Sequence, residues 1–235
     1  APGALFDALL KASVKPPVYL DVVDNAMKGL AMGIGEADKM NKRELTIEEK
    51  KNLRRQSRED IKNLNIHWLN EMATSGAQLR EKMAFFWHGH FACRNLNIYY
   101  QQLLLHSIRT NALGNFGDLL REVSKSAAMI NFLNNNQNRK DHPNENFARE
   151  VMELFTMGRG NYSEQDVKEA ARAFTGWGAS LSGEFIFRKG QHDGAAKTFM
   201  GKEGNFDGDD ILDILLEQPA TAIFITRKIY RFFVN

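Results

Sequence analysis

Two histidines flank a glycine in FWHGHF, Phe86–Phe91. Neutral imidazole is the commonest protein metal ligand, and such a pair with a carboxylate makes a sound zinc or iron set. At i and i+2 the rings share one face of a strand but lie about 200° apart on a helix. A helix ending at Gly89 would free His90 to turn toward the ion held by His88. The competing reading has one histidine bonded to a carbonyl in the core and the other facing water. A second cluster, GQHDG at 190–194, sets His192 and Asp193 between glycines on a tight loop. There Asp193 either orients His192, ligates in its own right or closes an Asx-type turn. The third group lies in NENFAREVMELFTMG, Asn144–Gly158, where Asn146, Glu150 and Glu153 form a polar row.

These groups combine in more than one way. A metal-dependent hydrolase would hold a divalent transition metal on His88, His90 and His192, lowering the pKa of a bound water. Glu150 or Glu153 would then act as general base, with Asp193 as support or a further ligand. The alternative is a non-catalytic binding or assembly module, in which the polar row recognises a glycan or a protein partner and the histidines only hydrogen-bond. A third arrangement is metal-free glycan cleavage by Glu150 and Asp193 as a carboxylate pair. Other chemistries are excluded: there is no GxSxG, HExxH or CxxC, and Gly201–Gly208 is no phosphate loop. Asp207, Asp209, Asp210 and Asp213 lack calcium-loop spacing and read as helix caps. Cys93 is the single cysteine, which rules out an internal disulfide and a Cys-rich zinc cluster. Its apolar neighbours mark it as an inert thiol. His67 and His106 read as core residues and His142 as part of a loop.

The elements that must position these residues are helical. Asn144–Gly158 is the central one, with Pro143 before it, Asn144 as N-cap and Gly158 as the stop. At about 100° per residue, Phe147, Ala148, Val151, Met152, Leu154 and Phe155 share an apolar arc. The polar row opposite is either an ordinary solvated face, with Glu145 and Arg149 an i,i+4 pair, or the wall of a cleft. A capping-box signature, Thr46 with Glu49, opens a helix to about Ala73, whose second half, Leu64, Ile66, Trp68, Leu69 and Met72, is core-like. Ser75 with Gln78 caps the next helix, which carries the histidine cluster; Ile98–Leu113, Phe116–Lys125 and Ala127–Leu133 follow. NNNQNRKDHPN is then eleven residues of polar loop without a hydrophobic anchor. Ser163, with Asp166 at N3, starts a helix to about Phe174, and Thr175–Gly178 is a glycine-flanked turn. Glu184–Arg188 alternates as a strand after a Ser182–Gly183 turn, and Lys197–Met200 is a second short strand. Helices return at Ile211–Leu216, capped by Asp209 or Asp210, and at Pro219–Val234.

The fold class is therefore mainly α: a multi-helix single domain with a small β-hairpin near residues 184–200. Residues 1–43 read as a loosely helical N-terminal extension, with weak helical spacing at Asp21–Met32 and a charged stretch at Glu36–Arg43, and residues 44–235 as the helical domain. With 235 residues, a net charge of +2 and interleaved signs, there is a substantial core and no nucleic-acid footprint. No apolar run is long enough to span a membrane. No intact signal peptide is visible at the start. The apolar pattern RKIYRFFVN carries no C-cap, which predicts a longer natural chain.

Four stretches together identify a resemblance: LREKMAFFWHGHF (79–91), ALGNFGDLLREVSKSAAMINFL (112–133), NENFAREVMELFTMGRGNYSEQDVKEAARAFTGW (144–177) and HDGAAKTFMG (192–201). The chain resembles the bacterial family catalogued as domain of unknown function 1800 over about residues 64–235. Members of that family carry no settled activity. Many carry export signals, so the resemblance implies an extracytoplasmic setting (periplasm, cell surface or secreted). Their genes often stand beside one for another exported protein, which implies a protein partner. Members typically run longer at the C-terminus. His88, His90, Asn144, Glu145, Asn146, Arg149, Glu150, Glu153, His192 and Asp193 all fall inside the resembling stretches.

Overall fold

The computed structural model describes residues 2–23, 46–95 and 97–234. The expected helical spacing of Asp21–Met32 and the charged stretch Glu36–Arg43 lie, from residue 24 on, outside the described residues. Ten α-helices and two small antiparallel sheets lie among the described ones, so the architecture is mainly α. In chain order the helices are α1 (Pro2–Ala12), α2 (Ile47–Thr74), α3 (Gln78–His90), α4 (Ile98–Asn111), α5 (Phe116–Lys125) and α6 (Ala127–Phe132). They continue with α7 (Glu145–Glu150), α8 (Glu164–Ala173), α9 (Gly208–Glu217) and α10 (Pro219–Phe233).

Local chemistry explains most of the starts. The Asn115 side chain accepts from Gly117 N at α5, and the Asn144 side chain accepts from Asn146 N at α7. Ser163 and Asp166 form a reciprocal capping box at α8. Two caps differ from expectation. The cap of α9 is Asp207, because Asp210 reaches back to the Asp207 N–H as the N3 member of a box. Ser75 bonds Ala77 N ahead of α3, whose first position has no side-chain cap.

The β residues form two hairpins rather than one. Strand β1 (Trp177–Ala179) pairs with β2 (Phe185–Phe187), and β3 (Lys197–Phe199) with β4 (Lys202–Gly204). The expected strands at 185–187 and 197–199 exist, but each finds a partner in its own neighbourhood. Met200 and Gly201 both have positive φ, the backbone of a two-residue hairpin turn, so β3 folds directly onto β4. Trp177, expected in a turn, sits in β1 with its ring buried edge-on against Phe174 and Phe185.

The core is gathered around α7 and α8, where Phe147, Ala148, Val151, Val167, Ala170 and Phe174 are fully enclosed. On α2 only a narrow stripe faces inward: Leu64 and Trp68 are buried and Met72 packs on the core, four residues apart in turn. Ile66 and Leu69, expected in the core, are exposed, because α3 and α4 cover one side of α2. The asparagine-rich loop is anchored after all. Asn135 and Asn138 are buried; Asn135 Nδ2 donates to Phe174 O and Trp177 O, and Asn138 Nδ2 donates to Ala171 O. Side-chain amides thus do for this loop what an apolar anchor does elsewhere.

A buried ion pair ties the first half of the chain together. Arg109 Nε lies 2.9 Å and Nη2 2.9 Å from the Glu81 carboxylate, and both side chains are almost wholly enclosed. Trp68 Nε1 donates to the same carboxylate at 2.8 Å, and Arg109 Nη1 reaches Val18 O at 2.6 Å. Gln102 adds bonds to Tyr19, Asp21 and Val22, so the described part of the N-terminal 1–43 stretch is laced to α4 near its end. Removing one partner of a buried pair leaves an uncompensated charge. Glu81→Ala should therefore destabilise the protein by about 3–5 kcal/mol, whereas Glu81→Leu with Arg109→Met should recover most of that loss; urea unfolding midpoints of the three proteins check it.

Candidate functional site

Helix α3 runs without interruption through Gly89 to His90, with Phe91 N bonded to Trp87 O beyond it. The expected break at Gly89 does not occur, since nothing in its surroundings requires one. The two rings consequently point away from each other, as 3.6-residue periodicity demands. His88 is partly buried, with its ring edge-on to Trp68 at 5.1 Å; it forms no hydrogen bond among the described residues. Burial lowers its pKa. His90 is buried and bonded at both nitrogens: Nε2 lies 3.0 Å from Phe155 O, and Nδ1 3.1 Å from Lys228 Nζ. A carbonyl only accepts, so Nε2 carries the proton and Nδ1 receives one from the ammonium. Burial first, then the Lys228 charge, push His90 down to about 4, against the pull of its bond to Phe155.

Between the two histidines lies a groove of about 320 Å³. Gly89 is its floor, Phe85, Phe86 and Phe232 are its apolar walls, and His88, His90 and Lys228 supply its polar groups. Lys228 comes from α10, where its ammonium lies over the Phe224 ring at 4.6 Å. No carboxylate pairs with it among the described residues. Sequence reasoning overlooked these α10 residues, although Phe224, Lys228 and Phe232 fall four apart, the spacing that puts side chains in one row.

The second half of the central helix is what His90 meets. After Glu150 the helix opens into a π turn, Val151–Thr156. A π turn places more residues in each turn, so each one rotates by less than in an α-helix. That phase slip carries Leu154 off the apolar arc to the surface and brings Thr156 inside. Thr156 Oγ1 donates to Val151 O at 2.8 Å. The Phe155 carbonyl, with no helical donor ahead of it, takes the His90 proton. Gly158 follows at φ +79°, and a Cβ there would lie 2.9 Å from the Phe224 ring. The stop therefore also sets the approach of α10.

The carboxylates expected to do chemistry are distributed differently. Glu153 accepts from Arg159 Nη2 at 2.7 Å and from Tyr162 Oη at 2.8 Å. The bond from Tyr162, and then Arg159, hold its pKa below the ordinary range. Arg149 is forked onto Glu164 and also bonds Glu145. Glu150 is the exception: partly buried and without a hydrogen bond among the described residues, its pKa is raised by burial and by the nearby Glu153 charge, against Arg149.

The HDG loop serves as a latch. Asp193 Oδ2 accepts from Arg172 Nε at 2.7 Å, and Lys197 Nζ, almost fully buried, donates to Asp193 O at 2.5 Å and Ala195 O at 3.0 Å. Burial works to raise the Asp193 pKa, but the Arg172 bond and its other partners outweigh it and hold it low. His192 Nδ1 lies 3.0 Å from Thr175 O, and its ring meets Phe187 edge-on. The loop is thereby fastened to the end of α8 and to β2, not to the groove. His88 and His90 are brought to one groove on different sides of its floor; His192 is not brought there. Among the described residues no group of three His, Cys, Asp or Glu stands close enough to hold a metal ion, so the expected ligand set is not assembled. Cys93 is pushed up to about 12 by burial, the inert thiol its neighbours suggested.

The long motif-bearing stretches all fall on these elements, and a family model matches residues 2–235. The chain belongs to the family described as protein of unknown function DUF1800. That match extends well upstream of the motif-bearing region, over the N-terminal helix and the segment laced to α4. No curated protein and no solved structure matches the chain. Among the described residues no helix is long and apolar enough to cross a membrane.

The neutral, buried state of His90 makes stability depend on pH. Its folded pKa of about 4 lies below the unfolded value of 6.5. Between those values the unfolded chain binds a proton that the folded chain does not, so stability rises with pH across the window. His90 should therefore contribute about 3 kcal/mol above pH 6.5 that is lost as pH falls toward 4. Urea midpoints from pH 7 to 4 should fall less steeply for His90→Gln than for the unmodified protein.

Proposed function

We propose that this chain is a non-catalytic binding module and that the groove between α3 and α10 is its ligand seat. The observation that carries the reading is Gly89. A glycine within a helix costs up to about 1 kcal/mol relative to alanine. Here it has neither a positive φ nor a close neighbour: nothing lies within 4 Å of where its Cβ would stand. Neither the backbone nor the packing needs a glycine there. What any side chain at 89 would do is fill the groove. The volume sits at the lower end of ligand pockets, roughly 300–1,000 Å³, and the combination of apolar walls with a few convergent polar groups is that of a binding site.

The setting we propose is an extracytoplasmic assembly that includes another exported protein, on the strength of the export signals of similar proteins. A surface glycan fits this groove less well, since three phenylalanines and three polar side chains would leave most sugar hydroxyls without partners. A hydrolase remains the second reading, favoured by Glu150 alone, whose raised pKa and carboxyl without a hydrogen bond among the described residues suit a general acid or base. Hydrolysis of a panel of chromogenic esters and glycosides by the unmodified protein, abolished in Glu150→Gln, would favour it.

The binding reading predicts a separation of stability from function. Gly89→Ala should raise stability by about 0.4–1 kcal/mol. Gly89→Leu should stay folded, yet lose binding of an uncharged aromatic probe, 2-naphthylmethanol, followed by ligand-observed NMR. Equal probe binding by the unmodified and Gly89→Leu proteins would reject the groove as the seat.

A further inference from the structure

We propose that the ligand of this groove is a carboxylate on a compact apolar body, with Lys228 as its counter-ion; the inference rests on the groove being the ligand seat. Four features of the site define that class. The first is charge. Lys228 reaches the groove with its ammonium engaged by a neutral histidine and an aromatic face, and among the described residues no acidic side chain lines the space. Burial pushes its pKa down from the ordinary lysine value, the mark of a cation without a counter-charge.

The second feature is orientation. His90 is fixed by the Phe155 carbonyl, so its Nδ1 lone pair always faces Lys228 and holds the ammonium in one place. One of the three ammonium hydrogens is used in that bond, leaving the others for an anion. The third is the walls. Phe85, Phe86 and Phe232 offer apolar contact and almost no hydrogen bonding, which excludes polyols and highly charged phosphates as the body of the ligand. A second ammonium, Lys82, lies over the Phe232 ring at 4.6 Å and adds to the positive field at that wall. The fourth is the far end. His88 stands across Gly89 with ring nitrogens that bond no other group among the described residues, and its lowered pKa keeps it neutral near pH 7, so it adds a polar contact without a charge. The volume admits one fused ring system or a branched chain, not an extended polymer.

The experiment is a titration of the purified protein with 2-naphthoate and with its uncharged counterpart 2-naphthylmethanol, by isothermal calorimetry and ligand-observed NMR at pH 7. A charge-assisted contact predicts that naphthoate binds roughly tenfold or more tightly than the alcohol. That preference should vanish in Lys228→Met and persist in Lys228→Arg, with circular dichroism confirming that each variant is folded. Should Lys228→Met fail to fold, added salt supplies the same test: the preference must shrink between 20 mM and 500 mM sodium chloride, to an extent on the order of that expected for screened charges. Equal affinity of the two probes for the unmodified protein would overturn the carboxylate assignment while leaving the groove as the seat. Binding of neither probe would overturn both.

Discussion

The Phe155 carbonyl is the point on which the arrangement of the C-terminal half depends. The π turn at Val151–Thr156 ends the central helix early in phase, leaving that carbonyl pointed at α3 rather than along its own helix. His90 bonds it, and the proton used there fixes the other ring nitrogen as an acceptor for Lys228. Three elements distant in sequence are thus held by one imidazole, in a chain that runs from carbonyl to histidine to ammonium. Such a chain works only while the histidine is neutral. The same dry surroundings that make the bonds strong also depress its basicity.

A histidine so occupied is a poor metal ligand, and this shapes the functional reading. Both nitrogens are committed, one to a backbone oxygen and one to a lysine. The carboxylates of the central helix show a similar division. Glu153 and Arg149 are held in ion pairs that orient the loop after Gly158 and the start of α8, while Glu150 has no such partner among the described residues. The HDG loop spends its polarity on fastening the β-hairpins to α8, through Arg172, Lys197 and Thr175. Polar residues inside apolar helices need not signal catalysis; in this fold most of them replace the covalent and apolar fastenings that a cysteine-poor, loop-rich C-terminal half lacks.

Gly89 carries a different message, because it fastens nothing. Two other glycines are required by their surroundings: Gly158 by its positive φ and the Phe224 ring, and Gly208 by the Trp177 ring, 2.3 Å from where a Cβ would be. At Gly89 the chain accepts a weaker helix and an uncovered patch of aromatic surface. Proteins commonly give up stability where function needs space, and an open floor between Phe85, Phe86 and Phe232 is a place where ligand atoms substitute for missing side-chain atoms.

Much of the fold was legible in the amino-acid order. Asn115, Asn144 and Ser163 cap helices with their own side chains, and Gly158 stops one, because capping and turn chemistry act over a few bonds. Phe185 and Phe187 mark a strand for the same local reason. Of the candidate site, the sequence singled out His88, Gly89 and His90. It did not reveal that α3 passes through Gly89, that Leu154 and Leu69 face water, or that Asn135 and Asn138 are core residues. It also did not reveal Lys228, on a helix more than a hundred residues away. Those features were decided by tertiary structure: a fixed angle per residue cannot register a π turn, and a side chain's type does not say which distant carbonyl, arginine or ring it will meet.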